Sequence, residues 1–555
     1  MEDEEIIDIR SDCESVDGLW DSDSDAVSDN EYSEDNEQIS SEDSENEIDE
    51  SLKDRLEKLD GIWEKRSRSS ENIPFTEDSG PNVPESVTSP LDIFYCLFTT
   101  EIIDILVVQT NLYLNQKQST LDPVSKAEML TFIGINILMG IKRLPSYKDY
   151  WSMNSQLNDP YISNLMSCNR FSFFLSHLHA NDNDKEPKKG EAGYDKLYKI
   201  RPIIEKLNES FKNCFKPNQH QSVDESMVKY KGRSTMKQYN AAKPIKRGCK
   251  IWVRADMTGY VCEFQIYTGK STNAKEKSLG FRVVRDLTRA IVGKFHRVYF
   301  DNFFTSIDLI VSLKADGILA CGTVRPNRIG LPKKQMSDKK MVRGEMEYRT
   351  SYTGVRWLKR KDNRSVQFLS NFHDPSKPET VSRKLKDGSR ILVPCSVMVS
   401  DYNQHMGYVD KADQLKSTYQ ISRKSKKWWP RLFWHLLDVA ITNAYIIYVE
   451  KGNKNMTLKA FRLAIVDGLV GGIQPLKKSR KNLPKVLGPH KPQISVEKRR
   501  SGSAHLPVYN QDGKRRRCAL RSNSAKERKS AWICSECKVA LCLTSQKNCF
   551  QAYHS

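Results

Sequence analysis

The chain contains no uninterrupted apolar run approaching the roughly 18 residues a membrane helix needs. Its best stretch, Thr131 to Ile141, is broken by Gly and Asn, so a soluble protein that does not associate with membranes is expected. The opening residues, MEDEEIID, lack the basic start of a signal peptide, which argues against an oxidising compartment and against a disulfide framework. Internal repeats are absent. Basic residues are nearly missing from the first fifty positions, where Arg10 stands alone against 22 acids for a charge of −21; with the whole chain at +18, the remainder carries +39. A basic body seeks polyanions, which makes nucleic acid the expected partner, whereas an acidic, Ser-rich tail stays solvated and competes for the same surface. Of thirteen cysteines, eight are scattered singly, the pattern of small buried hydrophobes. The other five (Cys518, Cys534, Cys537, Cys542 and Cys549) fall in the last 38 residues and are free to bind metal.

At 555 residues the chain is too long for one core, and about 150 residues per domain predicts three or four units. Residues 1–85 read as a disordered acidic tail, with a short helix allowed over Leu52 to Trp63. Apolar residues recur at three and four spacings through LDIFYCLFTTEIIDILVVQTNLYL, KAEMLTFIGINILMGI and SNLMSCNRFSFFLSHLHA, which predicts a helical region over 86–215. Near Gln221 the period changes. QSVDESMVKY, CKIWVRADMTGYVCEFQIYTG and HRVYFDNF are β-branched and aromatic, the second has a turn signal at Asp256 to Gly259, and LGFRVVRDLTRAI between them and the last strand reads as helix. Strand, hairpin, helix, strand is a mixed α/β sheet, placed at 216–321. Residues 322–402 are rich in Lys and Arg, short strand candidates and turns, and read as an insertion. Helices resume from Met406 and carry the core through 403–470; a basic linker, 471–504, then leads to a cysteine-rich unit at 505–555.

Asp224 lies within an apolar strand pattern, SVDESMV, and Asp301 ends another, VYFDNFF. Carboxylates brought together on two strands of one sheet repel each other unless a cation lies between them, so such a pair points to metal. Glu225 faces the opposite way on an alternating strand and is a poor co-ligand. In HMGYVDKADQL, Asp410 and Asp413 are three apart and share one face if helical. Each residue also has a plainer role, Asp301 as a turn cap and Asp410 with Asp413 as first-turn acids of a helix.

In combination, SVDESM, YFDNFFTS and MGYVDKADQ resemble the signature of piggyBac-like transposases, as do MKQYNAAKPIKRGCKIWV and KKWWPRLFWHLLDVAITNAYIIY. The resemblance runs from about Ser89 to the C-terminus and is nearest to the transposable-element-derived members of animal genomes. It implies an RNase H-like catalytic core, with Asp224, Asp301 and Asp410 holding two Mg²⁺ or Mn²⁺ ions and Asp413 as a fourth acid. Tyr408 stands where relatives usually carry Gly. Further implications are a nuclear homodimer acting on double-stranded DNA, namely transposon ends excised through hairpins and joined at TTAA; a domesticated DNA-binding or chromatin protein without chemistry is the alternative. Trp429 aligns with a tryptophan that the family places near the hairpin base, although on an amphipathic helix it fits a core role equally. The basic run ISRKSKK before it, including Arg423, Lys426 and Lys427, is expected to face phosphates.

Cys534 and Cys537 form a CxxC pair followed by Cys542, Cys549 and His554, with His505 and Cys518 upstream. Thiolates and imidazoles at such intervals suit tetrahedral Zn²⁺ in a segment too short for its own core. The resemblance identifies it as a cross-brace domain that grips DNA. Relatives continue RCxxC, but here RRCALR places Arg521 at the second position, so seven ligands are available for eight places. One full site is expected, with a second that is weakened, completed by water, or lost. Lys514 to Arg517, including Arg515 and Arg516, are candidate phosphate contacts.

Overall fold

The computed structural model describes residues 63–65, 73–241, 245–269, 279–384, 387–471, 494–502, 504–522 and 526–555. Most of the expected acidic tail lies outside these. The described residues fall into two compact units, Met1–Gln474 and Pro475–Ser555.

The first unit opens with the expected helices: α1 Pro90–Leu97, α2 Thr100–Gln116, α3 Lys126–Ile141, α4 Pro160–Leu165, α5 Cys168–His177 and α6 Arg201–Cys214. Their starts are set by local chemistry. Ser125 and Glu128 form a reciprocal capping box at the start of α3, satisfying backbone donors that the helix itself leaves open. Arg170 of α5 then grips the same Glu128 at 2.9 Å, tying two helices together at that cap. Gly140 permits a close backbone approach, since a Cβ there would stand 2.4 Å from the carbonyl oxygen of Tyr419.

The sheet is built from β1 His220–Lys229, β2 Arg247–Asp256, β3 Val261–Ile266, β4 Arg297–Phe300 and β5 Leu319–Val324. β1, β2 and β3 pair antiparallel in sequence, while β4 runs parallel to β1 and β5 parallel to β4, giving the order 3-2-1-4-5. This mixed sheet fits an RNase H-like core. The turn predicted at Asp256 to Gly259 is present: Asp256 Oδ1 accepts from Thr258 N at 3.0 Å, and Gly259 takes the positive φ of +90°. Helices α7 Leu279–Thr288 and α8 Ile307–Ala315 bury apolar faces against β4 and its neighbours.

Two expectations are corrected here. Residues 322–402 do not stand apart as an insertion, because β6 Met346–Ser351, β7 Arg356–Lys361 and β8 Ser365–Ser370 join the same sheet through β5, and only the hairpin of β9 Pro378–Lys384 and β10 Arg390–Ser396 leaves it. Within the stretch assigned to the tail, Trp63–Glu64 is an edge strand on β6, and the Trp63 indole donates to Gly330 O at 2.9 Å.

Helices return earlier than expected, at α9 Val397–His405, followed by α10 Tyr408–Ser417, α11 Trp428–Glu450 and α12 Leu458–Val470. α11 is long and apolar enough to cross a membrane, yet most of it is buried inside the protein, packed among the N-terminal helices and the sheet. Its one buried acid, Asp438, is neutralised by Arg462 of α12 at 2.5 Å.

Candidate functional site

Asp224 sits in the middle of β1 and is 8% exposed. The parallel pairing between β1 and β4 runs up to Val223 and Phe300, and Asp224 and Asp301 are the next residues along the two chain segments. One oxygen of Asp301 caps the following turn, accepting from Phe303 N at 2.9 Å; the plainer role of a strand-end aspartate is thus filled by half of the carboxylate. Burial pushes the Tyr402 phenol of α9 far above its usual range, and the carboxylates of Asp301 and Asp224 push it further. Glu225 faces away, as alternation requires, and pairs with Lys250 at 2.6 Å.

The third element docks on the same strand face. Ser222, Asp224 and Ser226 alternate along β1; Ser222 Oγ accepts from Val409 N at 3.3 Å, and Ser226 Oγ donates to Asp413 Oδ1 at 2.8 Å. Both contacts come from α10, where Asp410 lies exposed in the first turn and Asp413 is half-buried and paired with Lys416 at 2.5 Å. The acid tied to the Asp224 strand is therefore Asp413, with Asp410 one turn earlier and open to solvent. Among the described residues, the groups of three or more His, Cys, Asp or Glu ligand atoms lying within 4.8 Å of one another do not include these aspartates. A pair of divalent ions about 4 Å apart calls for carboxylates spread over a wider patch than one tetrahedral cluster.

The tail does hold such clusters. His505, Cys534, Cys537 and His554 form a four-ligand group, and Cys518, Cys542 and Cys549 a group of three. His505 Nδ1 lies 3.4 Å from Cys534 Sγ and 3.5 Å from Cys537 Sγ, while His554 Nε2 lies 3.5 Å from Cys537 Sγ. Tetrahedral bonds of about 2.0 Å to nitrogen and 2.3 Å to sulfur require an edge of about 3.5 Å, which the group already has. His505 and Cys518, the two outlying ligands in sequence, thus fall into different clusters. Among the described residues the candidate ligands thus divide four and three.

Of the candidate DNA contacts, Lys426, Lys427, Arg515 and Arg516 are exposed, Arg516 being partly engaged by Asp512 at 2.8 Å. Two readings are corrected. Trp429 is only 4% exposed and packs with Phe433 and His179 in the core, so no indole face is open for a nucleotide; Trp428, beside it, is the half-exposed one. Arg423, the arginine of ISRKSKK, turns inward over Phe171 at 4.9 Å and bonds Asn136 at 2.7 Å, and burial lowers its guanidinium to about 10.

A family model described as Transposase IS4 matches residues 89–445, which gives the class, the transposases. The chain is 32% identical over 483 residues to human PiggyBac transposable element-derived protein 3, covering 84% of this chain and 76% of that protein, and 26% identical to human PiggyBac transposable element-derived protein 5, covering 70% and 76%. It is also similar to a cryo-EM structure of the piggyBac transposase synaptic complex with hairpin DNA, with a TM-score of 0.63 and 25% identity over 84% of this chain and 98% of that one. The chain belongs to the piggyBac transposase family.

Proposed function

We propose that this protein cuts and joins DNA by two-metal phosphoryl transfer at transposon ends and TTAA targets, as a nuclear homodimer. The observation that supports the reading is the parallel pairing of β1 with β4 up to Val223 and Phe300, the residues just before Asp224 and Asp301, with α10 fastened to β1 through Ser222 and Ser226. Asp224, Asp301 and Asp410 would hold two Mg²⁺ or Mn²⁺ ions, with Asp224 bridging, and hard carboxylate oxygens suit either ion. Such ions lower the pKa of a water or DNA 3′-hydroxyl and stabilise the leaving oxygen. Asp413, held by Ser226 and Lys416, fixes the helix that presents Asp410. Exposed Lys426 and Lys427 at the start of α11 offer phosphate contacts. In the tail, Zn²⁺ bound by the two clusters would replace a hydrophobic core and hold Arg515 and Arg516 toward DNA.

A second reading, a domesticated DNA-binding protein without chemistry, is favoured by Tyr408, a buried ring two residues before the third acid where relatives usually have Gly. One experiment separates the two. Full-length protein is incubated with Mn²⁺, a labelled linear duplex with a free 3′-hydroxyl and a supercoiled plasmid rich in TTAA. Joined or nicked product that disappears in Asp224→Ala and Asp301→Ala supports the enzyme; wild-type binding without product, indistinguishable from Asp301→Ala, supports the second.

A further inference from the structure

Beside the acidic site lies a hydrogen-bonded cluster centred on Asp401 of α9. Tyr299 Oη donates to Asp401 Oδ2 at 2.6 Å, which leaves that oxygen of Tyr299 to accept from His220 Nδ1 at 3.0 Å. His373 Nε2 donates to the same carboxylate oxygen at 2.7 Å, and its Nδ1 accepts from Ser370 Oγ at 2.9 Å. On the other side His405 Nε2 lies 3.2 Å from Asp401 Oδ1, while its Nδ1 accepts from Tyr408 Oη. One assignment, with all three histidines neutral, satisfies every contact. Asp401 is then a lone carboxylate stabilised by three neutral donors, and those hydrogen bonds, against the opposing effect of burial, hold it far below the usual carboxylate range.

His220, Asp401 and His405 also lie within 4.8 Å of one another, which raises the question of a metal. The geometry points elsewhere. The imidazoles of His220 and His405 stack at 3.8 Å and 21°, so their in-plane lone pairs run side by side instead of converging, and both nitrogens of His405 are already engaged.

What the cluster joins is more telling. His220 stands four residues before Asp224 on β1, and Tyr299 two before Asp301 on β4, so each shares a strand face with its acid. Tyr408 opens α10 two residues before Asp410. The three elements that carry the acids are thus linked, through His220, Tyr299 and the His405–Tyr408 pair, to one carboxylate. We propose that Asp401 is a positioning residue that sets the spacing of Asp224, Asp301 and Asp410, and that Tyr408 completes this network. The inference rests on the metal-binding role proposed above for those acids.

Its test is a titration of full-length, zinc-loaded protein with Mn²⁺, free ion being read by electron paramagnetic resonance, with duplex DNA affinity and melting temperature measured alongside. Asp401→Asn presents an amide donor to groups that are themselves donors and should raise the Mn²⁺ dissociation constant about tenfold, the cost typical of a lost supporting hydrogen bond around a metal. Tyr299→Phe and Tyr408→Phe each remove one hydroxyl, should raise it severalfold, and carry the test if Asp401→Asn does not fold. A merely structural cluster would lower the melting temperature in these variants with the Mn²⁺ constant unmoved, and that result overturns the proposal. Asp224→Asn is the reference. If it binds Mn²⁺ like the wild type, the two-metal reading itself fails; if it abolishes binding while the Asp401, Tyr299 and Tyr408 variants titrate normally, only the positioning role falls.

Discussion

Ser226 Oγ donates to Asp413 Oδ1 across 2.8 Å, joining residues 187 positions apart and fastening α10 to the strand that carries Asp224. The bond is half-buried and charge-assisted, so Ser226→Ala should lower stability by about 1–2 kcal/mol in urea unfolding and weaken Mn²⁺ binding with it. Ser222→Ala, losing a longer 3.3 Å bond to a neutral backbone donor, should cost less. No loss of stability in either variant, with Mn²⁺ binding unchanged, would show that α10 is held by its apolar contacts alone.

Trp429 gives a prediction opposite in sense to a nucleotide-stacking role. Its ring lies against Phe433 and His179 within the core shared by α11 and the N-terminal helices, so Trp429→Ala should destabilise the fold by roughly 3–5 kcal/mol. At a temperature where the variant remains folded, its affinity for a DNA hairpin should match that of the wild type. A selective loss of hairpin binding with an unchanged unfolding midpoint would restore the stacking role.

The contrast between these residues shows what the sequence could and could not reveal. Periodicity located the helices of 86–215 and the strands around Asp224 and Asp301, because burying one face imposes a repeat that survives in any such element. The turn at Asp256 to Gly259 was legible for the same local reason. Trp429 was ambiguous, since an amphipathic helix and a stacking platform use the same residue type, and only its 4% exposure decides. The Asp401 cluster left no signal: His220, Tyr299, His373 and Asp401 are separated by tens of residues, and isolated histidines are ordinary. Strands β6 to β8 were visible as strands but not as part of the main sheet, because edge pairing between β5 and β8 is a long-range choice.

His179 and His296 set an acid limit on the first unit. Burial, chiefly, lowers each from 6.5 to about 4. A base whose folded pKa is depressed takes its proton first in the unfolded chain, so stability is full above about pH 6.5 and falls as the pH drops toward 4. Across that window each residue accounts for something on the order of 3 kcal/mol. Paired carboxylates such as Glu128, held low by Arg170 and Ser125 despite burial, lose their contribution only at more acid pH, so the interval between 6.5 and 4.5 isolates the histidines. Urea midpoints measured across it should decline steeply in the wild type and less steeply in His179→Gln; identical slopes would refute the assignment.

Arg521 explains why the tail divides its ligands four and three, and it makes the second cluster repairable. In the intact knuckle, the backbone N–H of Cys537 points at Cys534 Sγ from 3.3 Å, three residues on. Cys518 is built alike: burial would raise its thiol, but backbone donors from Arg521, Cys542 and Leu520 bring it below the usual range, so position 521 stands to Cys518 as 537 stands to 534. A thiol placed there should enter the cluster of Cys518, Cys542 and Cys549 and close a tetrahedron. Zinc-loaded wild-type protein challenged with a chelator should release one equivalent early and the other slowly, whereas Arg521→Cys should release both slowly. The early equivalent should vanish in Cys549→Ser and the slow one in Cys537→Ser. Two equivalents held with the same tenacity by the unaltered chain would mean that a ligand beyond these seven completes the second site.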